Sequence, residues 1–238
     1  MDTATAVRVK HRVPVEGREL GWYVHLVHNR SVVGSLATLV HVPFMLAFLS
    51  VVVFGAFSSS TFDPLVLGLS LLVVGLLLYG EHMLDDMVRV GKPWRTVFSD
   101  RALAALATTM FAAAVLVGLT ASLYYSTLLP FLGVIAGVFF CSLYGLEVWK
   151  FHEVAFGALG YGAIPPVAYL AQSAATGSAV SDPVIPLLLL AVGTLLGYIM
   201  LELYERTKTE DHHLMWSLLA IHLVVIYSMA GVIVWVHI

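Results

Sequence analysis

An apolar run from Leu65 to Tyr79 ends in Gly80-Glu81-His82-Met83-Leu84-Asp85-Asp86, and a Lys92-Pro93-Trp94-Arg95 turn follows. On a helix Glu81 and Asp85 are four residues apart, and His82 is three from Asp85 and four from Asp86, so these side chains share a face. Ionisable groups at the end of a membrane helix are costly enough to be read first as a functional site. A chain built this way is confined to helices that span a bilayer and meet at a polar surface.

Six further apolar runs accompany that one, each close to the roughly 20 residues a spanning helix needs. The pattern predicts helices over 33–57, 63–84, 101–123, 127–148, 153–174, 183–205 and 214–237. Composition agrees: 60% of the 238 residues are hydrophobic and 11% are charged, against about 25% charged in a soluble domain. The expected fold is an all-α integral membrane protein of about seven transmembrane helices. A basic, amphipathic segment over 1–32 precedes the helical domain over 33–238, with Trp22 and Tyr23 suited to the headgroup level. No cleavable signal peptide is expected, and no nucleic-acid partner. The single cysteine, Cys141, lies in an apolar run and rules out a disulfide framework or a cysteine metal site.

Seven spans sort the charges by side. Arg8, Lys10, Arg12, Arg18, Arg30, Arg89, Lys92, Arg95, Arg101, Lys150, Arg206 and Lys208 all fall on one face. The positive-inside rule makes that face, with the N-terminus, cytoplasmic, in what is expected to be the plasma membrane. Asp63 and Asp182 on the other face precede Pro64 and Pro183 and read as helix N-caps. Pro165-Pro166 marks a helix that is kinked or closely packed. Gly133/Gly137 and Gly193/Gly197, four apart, suit helix–helix contact.

Three polar clusters share the cytoplasmic face. They are Glu81, His82, Asp85 and Asp86; then Glu147, Lys150, His152 and Glu153; then Glu202, Glu205, Arg206, Glu210, Asp211, His212 and His213. Facing carboxylates repel unless they hold cations, and Mg²⁺ takes carboxylate oxygens together with substrate phosphates. Lys92, Arg95, Lys150 and Arg206 stand ready for the remaining phosphate charge, and an apolar chamber between helices would take a lipid tail.

Residues 80–101 resemble the first acidic motif of the UbiA-type prenyltransferase superfamily, Asn-Asp-x-x-Asp-x-x-x-Asp followed by Lys-Pro-x-Arg. Asp85 matches the second Asp, and Lys92-Pro93-Trp94-Arg95 matches the turn. Glu205-Arg206 resembles the Asp-Arg of the second motif, with Tyr198 and Glu202 before it. Glu81-His82 stands where the family has Asn-Asp, and Arg89 replaces the third Asp. The resemblance implies a UbiA-like bundle that transfers a polyprenyl group from its diphosphate to an aromatic or polar lipid acceptor. Asp85, Glu81, Glu202 and Glu205 would ligate Mg²⁺, and Lys92, Arg95, Lys150 and Arg206 would bind diphosphate.

The departures open a second reading. Mixed His and carboxylate donors from facing helices suit di-iron or another transition metal. Glu81, His82, Asp85, His152, Glu153, Glu202, Glu205 and His212 are the candidate ligands, and the activity would be a lipid oxidase, desaturase or hydroxylase. In a third reading the chain is a non-catalytic UbiA-like subunit that works with a membrane partner.

Overall fold

The computed structural model describes residues 31–88, 96–177 and 183–207, apart from the side chains of 42, 43 and 204–207, and scattered positions between 217 and 231. It contains α1 (Val32–Val40), α2 (Val42–Phe57), α3 (Pro64–Val88), α4 (Asp100–Tyr124), α5 (Leu129–Gly145), α6 (Val154–Ala175) and α7 (Val184–Thr207). No strand occurs among the described residues. Four of these helices, α3, α4, α6 and α7, are long and apolar enough to cross a membrane. The bent pair α1–α2 makes a fifth if taken as one span, and α5 is a shorter apolar helix of 17 residues. The chain is an all-α membrane protein. Residues 1–30 and most of the expected span over 214–237 lie outside the described residues.

The span expected over 33–57 is broken. His41 adopts a left-handed conformation (φ 43°), its N–H bonds to the Thr38 carbonyl 3.0 Å away, and α1 and α2 bend by 43°. The cause is Pro43, at the start of α2. Proline has no N–H to offer the carbonyl four residues back, so Leu39 loses its helical partner. His82 Nδ1 donates to that carbonyl across 2.8 Å. A proline in one helix therefore creates the acceptor that anchors a histidine of another.

The other breaks follow local chemistry. Asp63 caps α3, its carboxylate accepting from Leu65 N–H at 2.8 Å, and Ser99 caps α4 through Ala102 N–H. Asp182 lies outside the described residues. α6 continues through Pro165 and Pro166, closely packed on both sides. A methyl group on Gly55 of α2 would lie 2.6 Å from Pro165 Cα, and one on Gly162 would lie 2.5 Å from Thr194 N of α7. Gly193 and Gly197 face Gly162 and Tyr161, while Gly133 and Gly137 face Val167 and Leu77. Both glycine pairs are thus helix contacts, made where missing side chains let helices approach.

The end of the bundle away from the acidic cluster is sealed by polar bonds. Gln172, fully buried, donates to the Asp63 carbonyl at 3.0 Å and accepts from Asp63 N–H at 2.8 Å. Tyr125 donates to Asp63 Oδ2 at 2.9 Å. Burial, then the hydrogen bond and charge of Asp63, push the Tyr125 hydroxyl up to about 12. The folded value lies above the usual ~10, so this contribution is fully present below about pH 10 and is lost as pH rises towards 12. Unfolding measured from pH 9 to pH 12 should show a steeper loss of stability in the wild type than in Tyr125→Phe. Equal slopes would remove Tyr125 as the source.

Candidate functional site

The acidic cluster does not sit at a solvated helix end. α3 continues to Val88, and the cluster is enclosed: Glu81 is 7% exposed, His82 5%, Asp85 4% and Asp86 0%. Burying so many ionisable groups is stable only where each is partnered. Asp86 accepts from the Thr96 hydroxyl, and the next residue, Val97, donates its N–H to Ser35 Oγ at 3.0 Å. Asp86 therefore pins the segment after the basic turn to the bundle.

Glu81 and His82 form a second arrangement. Because a carbonyl only accepts, His82 Nδ1 carries the proton that binds Leu39. Its Nε2 then lies 3.4 Å from Glu81 Oε2. The ring also meets the buried His41 edge-on, with centroids 5.7 Å apart.

The third arrangement joins two sequence clusters. Ligand atoms of Asp85, Glu147 and His152 all lie within 4.8 Å of one another. Gly145 makes this approach possible, since a Cβ there would meet the Glu81 carbonyl at 2.8 Å and Leu84 Cβ at 2.9 Å. α5 then ends in a tight turn: Val148 N–H bonds to Leu143 O at 3.0 Å and Glu147 N–H to Tyr144 O at 3.1 Å. The left-handed position of such a turn is normally glycine, yet here it is Glu147, at φ 51°. The His152 ring packs against Tyr144 at a tilt of 36°, with centroids 4.3 Å apart. Its Nδ1 donates to the Tyr144 carbonyl at 2.9 Å, which leaves Nε2 facing Glu147 Oε1 at 3.8 Å.

Of the candidates named from sequence, Asp85 and His152 come together, whereas Glu81 and His82 pair with each other one helical turn away. Lys150 and Glu153 are exposed in the α5–α6 connection, and Glu202 is half-buried on α7, outside the three-residue group. Lys92, Arg95 and His212, and the side chains of Glu205 and Arg206, lie outside the described residues. Glu147 belonged to a recognised cluster but not to the candidate ligands. Its signal was its place in the last turn of the helix expected over 127–148.

Beside these groups runs a cavity of about 360 Å³ lined by α2 to α7. Phe48, Val73, Leu77, Phe140 and Ile164 are typical of its wall, and among the described residues Glu81 and His82 are its one acid and one histidine. On α3 it extends from Val66 to His82, roughly 24 Å of helix axis. No protein-family model, curated protein or solved structure matches the chain.

Proposed function

We propose that the protein is a membrane-embedded, prenyltransferase-like enzyme of the UbiA type, moving a polyprenyl group from its diphosphate to an aromatic or polar lipid acceptor. The observation that carries the reading is the long apolar cavity with Glu81 and His82 on its wall, one helical turn from Asp85. A cavity of this size and lining suits a hydrocarbon chain with a reactive head. Lipid tails are as apolar as leucine, so the cavity contributes alignment more than burial energy.

In the proposed reaction the acceptor bonds to the prenyl C1 while the C1–oxygen bond breaks and its electron pair leaves with diphosphate. Asp85, Glu147 and His152 supply two carboxylates and an imidazole, a donor set that fits a divalent cation, which when bound would neutralise the leaving group. The acceptor's proton passes to the Glu81–His82 pair, whose two groups lie 3.4 Å apart and so can share one proton. Lys92, Arg95 and Arg206 remain the candidates for diphosphate contact. The basic face and the N-terminus are taken as cytoplasmic.

The test is release of inorganic diphosphate from a long-chain prenyl diphosphate by protein reconstituted with a polar lipid extract and a divalent cation. Release coupled to a prenylated lipid supports the proposal. Folded protein that releases none, with any cation, overturns it. The imidazole of His152 favours one other reading, oxidative lipid chemistry at iron; tightly bound iron together with lipid-dependent oxygen uptake would establish that instead.

A further inference from the structure

We infer that Asp85, Glu147 and His152 bind a single divalent transition ion, and that they bind it before any lipid substrate arrives. The inference names the metal class of the site proposed above. It is tested in lipid-free protein, so a failed transfer assay leaves it standing, and failure to bind metal leaves the cavity's role in lipid binding untouched.

The donor chemistry is the first argument. His152 Nδ1 is committed to the Tyr144 carbonyl at 2.9 Å, so neutral His152 presents the Nε2 lone pair to the Glu147 carboxylate. Metal-bound histidines are commonly held this way, the second ring nitrogen donating to a backbone carbonyl. The spacing is the second argument. Ligands about 2.1 Å from a tetrahedral ion lie about 3.4 Å apart, and Nε2 is 3.8 Å from Glu147 Oε1. A shift of a few tenths of an ångström brings that pair to ligand spacing, and the Asp85 carboxylate lies within 4.8 Å of both. The third is that the donors differ in origin, Asp85 from the last turn of a packed helix and the other two from the connection after α5.

Imidazole nitrogen decides the class of ion. Mg²⁺ prefers oxygen and retains its waters, whereas zinc, iron and their first-row neighbours take nitrogen and oxygen together. With the three donors found among the described residues, a coordination position would be open for a substrate oxygen. The competing arrangement is a protonated His152 held by two acids, which needs no metal.

The experiment strips the full chain with chelator in detergent and titrates it with Co²⁺, following the visible absorption bands. One Co²⁺ per chain is expected, displaced by stoichiometric Zn²⁺ but not by a large excess of Mg²⁺. His152→Gln and Asp85→Asn should weaken binding more than about 100-fold, since outer-shell changes alone cost 10–100-fold. Both risk the fold, so Glu147→Gly is decisive. Glycine suits the left-handed backbone there, so this variant should unfold at the same temperature or higher while losing Co²⁺ affinity to a similar degree. Glu153→Gln, exposed and outside the group, should bind as the wild type does. No saturable binding by the wild type, equal competition by Mg²⁺, or a folded Glu147→Gly with undiminished affinity would each overturn the inference.

Discussion

Gly55→Ala is expected to lower stability by about 3 kcal/mol or more, at the upper end of what overpacking costs. The methyl would point at backbone: the Pro165 carbonyl oxygen first, then Pro165 Cα at 2.6 Å and its carbonyl carbon at 2.7 Å. A flexible side chain could swing aside, but a backbone carbonyl moves only with its helix. At that point α6 already carries two prolines, and α7 packs against its other side through Gly193. Relief therefore means separating α2 from α6. For a chain of this length the loss corresponds to roughly 6–12 °C in the unfolding temperature. Gly68→Ala is the control, because nothing lies within 4 Å of a Cβ there. It should be neutral, or more stable by up to about 1 kcal/mol from helix propensity. Equal unfolding temperatures for the two variants in detergent would show that α2 and α6 do not meet as closely as described.

Ala163→Phe is expected to cut transfer of a long prenyl chain about 100-fold or more while sparing a five-carbon analogue. Ala163 lines the cavity between Gly160 and Ile164, and a benzyl group there stands across the path of an extended chain. Because the surrounding bilayer is equally apolar, the loss comes from misplacing the reactive end; an error of 1 Å can cost 10²-fold. A short chain ends before the obstruction and keeps its alignment. Ser70→Leu, on the α3 wall, blocks from the other side and guards against a folding defect peculiar to α6. Leu188→Phe, on the exposed face of α7, should act as wild type. The measurement is kcat/KM for both chain lengths in proteoliposomes. A uniform loss at both lengths, or none at either, would separate the cavity from the substrate tail.

Much of this architecture was legible in the chain. Apolar runs gave the helices because every backbone group in a bilayer must be satisfied within its own segment, and the ends of α3, α4 and α6 fall within a few residues of expectation. The exceptions have local causes. α3 runs past its apolar stretch because its acids are covered by neighbouring elements rather than by water. The run over 33–57 divides because Pro43 cannot bond to Leu39, a break visible in the sequence whose consequence, the acceptor for His82, was not.

Sequence by itself determined a helical membrane protein with acids and histidines gathered at helix ends, since hydrophobic length and helical spacing are properties of one segment at a time. Which of those groups meet was decided by tertiary structure alone. Asp85 and His152 are 67 positions apart in the chain, and they come together because Gly145 lets α5 press against Glu81 and Leu84 and because Glu147 takes a backbone angle usually left to glycine. His82 stands among the same acids in sequence, yet Leu39 and Glu81 claim its two nitrogens. Contacts between distant residues depend on how closely two helices can approach, and that distance is set by missing side chains and by the turn that joins them.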